Sequence, residues 1–292
     1  MGRFSGVIQQ LDPYREANNL ERVRRLVAGR RELNLAGEIA DGLSIIVLNK
    51  DRPDLLRALW SSFDALRDLA DMKGIPIELL VGDTGSKDPE ALELLSSPPQ
   101  RCRVICNMSY QFSRCNNDLF ELANYSVSLF MNNDVLFDAN PMGLLDCYER
   151  LTANSELGAI GAVLYFEDGR IQHAGIGFLR EAGVWGLPFH PGARSSLAYP
   201  DGLFWPIAAV TGAFIMVPSA LYRALGGFDE GYAKECQDVD LCLKIARSGR
   251  RIEVGSIGPI VHLENATRVS GEEDWLDRAL FLRRWSSFAE EL

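Results

Sequence analysis

From Leu43 onward the chain alternates short apolar runs with longer stretches in which apolar residues recur every three or four positions. The first pattern reads as a buried strand, the second as an amphipathic helix. Leu43 to Leu48 is such a strand, and Asn49-Lys50-Asp51-Arg52-Pro53 breaks it and opens a helix to about Ala70. Strand signals return at Ile77 to Val81, Arg103 to Ile105 and Val127 to Met131, with a helix predicted from Ser113 to Ala123. Strands separated by helices run parallel, joined by right-handed crossovers. Their carboxyl ends therefore share one rim. That rim collects Leu48, Asn49, Asp51, Asp83 and the run Asn132-Asn133-Asp134.

Past Asp134 the rhythm changes. Asn140-Pro141 predicts a helix to about Ala153, Ala159 to Phe166 a strand, Glu167 to Arg170 a turn, and Ile171 to Gly175 the returning strand. Arg180 to Leu203 is rich in Gly, Pro and aromatics with no clear period, which predicts a long loop. Thr211 to Val217 reads as a strand and Pro218 as the start of a short helix. Asp238 lies at the start of a helix that ends near Ser248 with Gly249 as its cap. Arg251 to Val254 is a further strand, and Ile260-Val261-His262 a separate return to the surface. The expected fold is a single mixed, mostly parallel α/β sheet flanked by helices, with helical additions at both ends.

Those additions differ in kind. In residues 1–40, Leu11-Asp12-Pro13 opens an amphipathic helix whose stripe of Leu20, Val23, Leu26 and Val27 must be buried on the main domain, on a second copy or on a neighbouring domain. The basic cluster Arg22, Arg24, Arg25, Arg30 and Arg31 reads as its solvated face. The segment 271–292 is a helix with an acidic start.

Composition narrows the chemistry. With 47% hydrophobic residues among 292, the chain can bury a large core. A net charge of -10 argues against a general nucleic-acid or anionic-membrane surface. A nucleotide is still admissible, because one diphosphate needs only a cation or a few donors. The six cysteines form no CxxC pair and read as reduced core thiols of a cytoplasmic protein. The longest nearly apolar stretch, Ile207 to Val217, is too short to span a bilayer, so any membrane contact would be peripheral. No GxGxxG follows the first strand and no GxxxxGK[ST] occurs, which removes the main support for dinucleotide-binding and P-loop readings. Asp134, at a strand end, offers hard oxygens to an ion such as Mg2+ or Mn2+ that also holds phosphate. The plain alternative is a strand closed by an Asn-Asp turn.

The motifs SIIVLNKDRPDLL, ELLVGDTGSKD, FSRCNN, LFMNNDV, GRIQHAGI, AVTGAFIMV, GGFDE, QDVDLCLKI and VHLENATR occur in that order. Together they resemble inverting family-2 glycosyltransferases of the GT-A fold, most closely the bacterial rhamnosyltransferase-like enzymes of surface polysaccharide assembly. The resemblance runs from about Leu43 to Arg268. It implies a nucleotide-sugar-binding half at 41–135, an acceptor and catalytic half at 136–270, and terminal helices outside them. It also implies a nucleoside-diphosphate sugar donor, a Mn2+ or Mg2+ ion, and transfer with inversion to a saccharide or lipid-linked acceptor. The expected place is the cytoplasm, in peripheral contact with the inner face of the cell membrane, with homodimerisation through the terminal helices as one arrangement.

Carried over residue by residue, the resemblance makes Asp83 the carboxylate that holds the nucleoside, supported by Leu48, Asn49 and Asp51. Asp83 would suit a uracil or thymine imide N–H, which favours UDP- or dTDP-sugars. Asn133 and Asp134 fall on the metal motif, where position 132 is Asn rather than the common Asp, and His262 matches a late metal ligand. Arg114 and Asn117 stand where donor contacts are expected. Asp238 matches the catalytic base, with Gln237 where relatives often carry Glu, so a negative neighbour is missing. His173, Trp185, His190 and Gln237 are acceptor-side candidates. Each has a structural alternative: an N-cap for Asp238, an interior imidazole for His262, a turn role for His173, and loop packing for Trp185. Asp240 reads as a cap or ion-pair partner. Two other functions remain open, a sugar-1-phosphate nucleotidyltransferase and a catalytically silent nucleotide-sugar-binding module.

Overall fold

The first four apolar runs form β1 (Ala40–Asn49), β2 (Ile77–Asp83), β3 (Cys102–Ile105) and β4 (Tyr125–Asn132), hydrogen-bonded in the order β3-β2-β1-β4 and all parallel. The computed structural model describes residues 39–137, 140–181, 184–263 and 272–289, so the amphipathic helix expected within residues 1–40, with its basic cluster, lies outside the described residues. Between these strands run α1 (Pro53–Lys73), α2 (Pro89–Ser96) and α3 (Phe112–Phe120). Successive side chains of a strand face opposite sides, and β1 uses this directly. Ile45 and Val47 pack with Leu56, Leu59 and Phe63 of α1, whereas Ile46 packs with Leu119 and Phe120 of α3 on the other face. Each such fully buried side chain contributes roughly 1.5–3 kcal/mol relative to exposure.

The second half continues the same sheet. Its elements are β5 (Val135–Leu136), α4 (Pro141–Ala153), β6 (Leu157–Tyr165), β7 (Ile171–His173), β8 (Gly177–Glu181), β9 (Val184–Phe189), β10 (Leu203–Pro206), β11 (Phe214–Pro218), α5 (Ser219–Ala224), α6 (Gln237–Arg247), β12 (Arg251–His262) and α7 (Glu272–Ala289). From β4 the sheet proceeds through β11, β6 and β12 to β10. Here β11 is antiparallel to both β4 and β6, while β12 is parallel to β6. Asn140 caps α4 as expected, accepting from the Gly143 N–H at 3.3 Å.

Three expectations need correction. The stretch taken as one long loop holds a hairpin, β8 antiparallel to β9, and the start of β10. Gly and Pro hid its strand character, and its support is distant in sequence: Phe178 stacks on Phe281 of α7 at 6.2 Å. The two segments Arg251 to Val254 and Ile260 to His262 are one strand, β12. Gly255 and Gly258 interrupt the apolar pattern between them, but a register shift between Gly255 and Ile260 absorbs both, with Gly258 at φ 97°. Finally, β11 begins at Phe214, which leaves Thr211 and Gly212 in a bend rather than in the strand.

Candidate active site

The short β5 brings the last residues of β12 back to the end of β4. His262 stands opposite Val135 in that pairing, and the Leu263 N–H donates to the Asp134 carbonyl at 3.0 Å. As a result His262 Nε2 lies 3.1 Å from Asp134 Oδ1, both side chains largely buried. His262 Nδ1 lies 2.6 Å from Gln172 Oε1, and the Gln172 amide is oriented by its own N–H donating to the His262 carbonyl at 3.3 Å. That network orients the ring: Nδ1–H donates to Gln172 Oε1, and Nε2 faces the carboxylate. Asn132 Nδ2 lies 3.3 Å from the same Nε2.

With a neutral imidazole, Nε2 and the carboxylate oxygen 3.1 Å away both present lone pairs, an arrangement that a cation between them would satisfy. Metal bonds of about 2.1 Å at right angles put neighbouring ligands about 3.0 Å apart, so the pair fits two positions on one ion. A distal partner such as Gln172 is also the usual support of a metal-binding imidazole. Among the described residues no group of three or more His, Cys, Asp or Glu is placed to hold an ion alone. The remaining positions would fall to water and phosphate oxygens, the usual mode for Mg2+-like ions.

The rim around this pair is tied together by polar side chains. Asn133 donates to Asn49 Oδ1 at 2.9 Å, linking the end of β4 to the end of β1. Asp83 is buried and accepts from the Gly85 N–H at 3.2 Å and the Ser86 N–H at 3.1 Å, closing its own loop. Asp51 accepts from the Lys87 and Asp88 N–H groups at 2.6 and 2.9 Å, which holds its carboxyl below the usual carboxylate range. A nucleoside at Asp83 would therefore share a carboxylate already fixed by its loop. Both Asp51 and Arg52 are left-handed, at φ 51° and 53°, an unusual pair for non-glycine residues at the entry to α1. Leu48 lies half-buried at the same strand end.

Asp238 sits in the first turn of α6 facing the Thr211-Gly212 bend. Its Oδ2 accepts from the Gly212 N–H at 2.8 Å and its Oδ1 from the Val239 N–H at 2.8 Å. It is not the N-cap, which is Cys236. A Cβ on Gly212 would come within 3.3 Å of both Asp238 Cβ and the Phe112 ring, so the close approach favours glycine there. Next in the chain, the Ala213 carbonyl accepts from the Asn132 N–H at 3.1 Å. One bend thus touches the proposed base on one side and the end of β4 on the other.

His173 is fully buried on the same bend, its Nε2 accepting from the Gly175 and Thr211 N–H groups at 3.3 and 3.4 Å. Its Nδ1 therefore carries the proton and donates to His190 Nδ1 at 3.0 Å. Burial, with His190 and His262 nearby, pushes its imidazole well below the ordinary value and keeps it neutral. All three histidines of the chain thus gather around one site. Gln237 is buried beside Asp238 and donates to the Lys234 carbonyl at 3.3 Å. Trp185 belongs to β9, where its backbone pairs with Arg180.

Asn117 corrects an expectation. Its amide donates to the Phe228 carbonyl at 2.9 Å and to Glu230 at 3.1 Å, and its oxygen accepts from Tyr222 and from the Phe228 N–H. It anchors the Gly227 turn, where φ is 71°, and has no capacity left over for a donor sugar. Gln111 and Ser113 bind carbonyls of the same 229–232 segment, so the FSRCNN and GGFDE motifs are two sides of one contact. Arg114, half-buried, donates to the Ser109 carbonyl at 2.9 Å. Asp240 is the ion-pair partner anticipated, 2.7 Å from Lys244. Two contributors went unrecognised in the sequence: Gln172, whose only signal was its place beside His173, and Gly212, which acts through its backbone. Burial pushes the thiols of Cys147, Cys236 and Cys242 up, which makes them core fillers rather than nucleophiles.

No family model matches the chain. It is 30% identical over 252 residues to the O-antigen biosynthesis protein RfbC of Myxococcus xanthus, covering 83% of this chain and 19% of that protein. At the same identity and length it matches the uncharacterized protein y4gI of Sinorhizobium fredii, covering 26% of it. The chain therefore spans about a fifth and a quarter of these curated relatives. Among solved structures it is similar to the mannosyltransferase PcManGT from Pyrobaculum calidifontis in complex with GDP-Man and Mn2+. The TM-score is 0.51 at 16% identity, over 93% of this chain and 71% of that one. TarS residues 1–349 of S. aureus give 0.51 and 16%, over 86% and 73%. That likeness shows a shared fold, the mixed α/β sheet of GT-A glycosyltransferases.

Proposed function

We propose that the chain is a metal-dependent, inverting family-2 glycosyltransferase. It moves a sugar from a nucleoside diphosphate, UDP- or dTDP-linked by preference, to a hydroxyl of a saccharide or lipid-linked saccharide. The observation that carries this reading is the Asp134–His262 pair lying one bend away from the fixed carboxylate of Asp238. The relation to a protein named for O-antigen biosynthesis supports a place in bacterial surface polysaccharide synthesis, and the GT-A fold supports a nucleotide-sugar donor. Among the described residues no helix is long and apolar enough to cross a membrane.

In this reading Asp134 and His262, oriented by Gln172, would hold a divalent cation, which when bound would supply positive charge against the departing diphosphate. Asp238 takes the proton of the acceptor hydroxyl as that oxygen bonds to the anomeric carbon. The bond from that carbon to the phosphate oxygen breaks on the opposite face, its electron pair leaving with the diphosphate, and the configuration inverts. Gly212 and Val239 hold the Asp238 carboxylate in one plane, yet each oxygen keeps a lone pair for the proton.

The test is a thermal-shift screen of UDP-, dTDP- and GDP-sugars with and without Mn2+. A ligand at a hundred times its Kd stabilises the folded state by about 2.7 kcal/mol. The expected result is a rise with a uridine or thymidine donor only when Mn2+ is present, retained in Asp238→Asn while sugar transfer is lost. Stabilisation without transfer in the wild type would point to a silent binding module, and no stabilisation by any donor would overturn the reading.

A further inference from the structure

We propose that α7 is a positioning element of the site and that Asp277 sets where Asp238 points. The inference rests on the reading of Asp238 as the proton acceptor. Asp277 is fully buried, and its carboxylate accepts from the N–H groups of Ala233, Lys234 and Glu235 at 2.9, 2.6 and 2.9 Å. Those three amides lead directly into Cys236, left-handed at φ 68°, which opens the helix bearing Asp238.

That helix lacks the usual device for fixing a first turn, since Cys236 makes no side-chain cap bond. A carboxylate from another helix supplies the anchor instead. Three charge-assisted bonds converging on one buried oxygen pair are strong, and each amide would be orphaned without them. The neighbouring residues of α7 fasten the same region. Arg278 grips Glu235 at 2.6 and 3.1 Å, Trp285 donates to Asp240 at 2.8 Å, and Arg284 pairs with Asp229 at 2.6 Å. Asp238 is thus bracketed by residues held from one helix. The segment between them carries the reacting carboxylate, and a displacement of about 1 Å in such a group costs on the order of a hundredfold in rate.

The experiment compares the full chain with Asp277→Asn, Asp277→Glu and Arg278→Gln, using UDP-glucose and dTDP-rhamnose with Mn2+ as probes and release of the nucleoside diphosphate as turnover. Asp277→Asn is expected to lower kcat by about ten- to a hundredfold while leaving donor KM and the Mn2+-dependent donor thermal shift unchanged. Asp277→Glu, which restores the charge, should recover part of that loss. Hydrogen exchange should quicken at 233–240 and stay unchanged in β1 to β4, a readout that needs no substrate. If Asp277→Asn does not fold, Arg278→Gln provides the same split at a few-fold loss. An unaltered kcat, or kcat and donor binding falling together, would overturn the positioning role. Wild-type turnover in Asp238→Asn would overturn the underlying reading instead, even if exchange at 233–240 responds to Asp277→Asn.

Discussion

The half from Ala40 to Asp134 and the half from Val135 to Ala289 share one sheet but place their functional groups by different means. In the first, parallel strands separated by helices deliver Asn49, Asp83 and Asp134 to one rim, so position follows from strand order. In the second, antiparallel and parallel pairings mix, and groups far apart in sequence must find each other. Asp238 is fixed by Gly212 on one side and, through 233–235, by Asp277 on the other. A sheet edge can present ligands by topology alone. A reacting carboxylate needs a purpose-built clamp.

The contrast breaks most readily at Asp238. Asp238→Asn should lower sugar transfer by about 10²- to 10⁴-fold, the range of a general base, with Mn2+-dependent donor binding unchanged. Initial rates and a binding isotherm on one preparation check this, and equal loss of both would assign Asp238 to the donor half. Gln172 bridges the halves, since it lies beside β7's His173 yet orients the ring next to Asp134. Gln172→Ala should weaken Mn2+ binding by roughly 10- to 100-fold in the presence of UDP. Unaltered Mn2+ affinity would separate Gln172 from the cation site.

Smaller effects sharpen the boundary. Asn117→Ala removes four hydrogen bonds, those to the Phe228 carbonyl and Glu230 and those from the Tyr222 hydroxyl and the Phe228 N–H, for a cost of about 1–3 kcal/mol, since the Phe228 N–H keeps the Tyr222 oxygen at 3.1 Å. Chemical denaturation should show that loss while donor affinity stays at the wild-type value. A fall in donor affinity at full stability would reverse the assignment made here. The smallest effect concerns acidity. In the unfolded chain His173 takes up a proton near pH 6.5, whereas in the folded chain it resists until lower pH. Stability is therefore complete above about pH 6.5 and declines as pH falls from there toward the folded value. Urea midpoints at pH 7.5 and 5.5 should drop less in His173→Gln than in the wild type, and identical drops would contradict the buried, neutral ring.

How much of this was legible follows the same division. Strands β1 to β4 announced themselves as apolar runs ending in polar residues, and their order gave the rim. Asn140-Pro141 and Gly249 marked helix ends by local chemistry alone. The hairpin of β8 and β9 did not, because Gly186 and Pro188 interrupt its alternation and its packing partner is Phe281. The unity of β12 was hidden by Gly255 and Gly258, whose bulge is set by neighbouring strands. At the site, Asp134, Asp238 and His262 stood out as residue types, whereas Gly212 acts through an N–H that every residue but proline has. Asn117 misled because a buried structural amide and a ligand-binding amide look alike until their partners are known.

In the proposed enzyme, Asp134 and His262 form a single cation site completed by a nucleotide. Electron paramagnetic resonance titration of Mn2+ with saturating UDP tests it most directly, on the wild type, Asp134→Asn and His262→Ala. One tightly bound ion is expected in the wild type, appearing only with UDP and lost in both variants. Undiminished Mn2+ binding in either variant would contradict it.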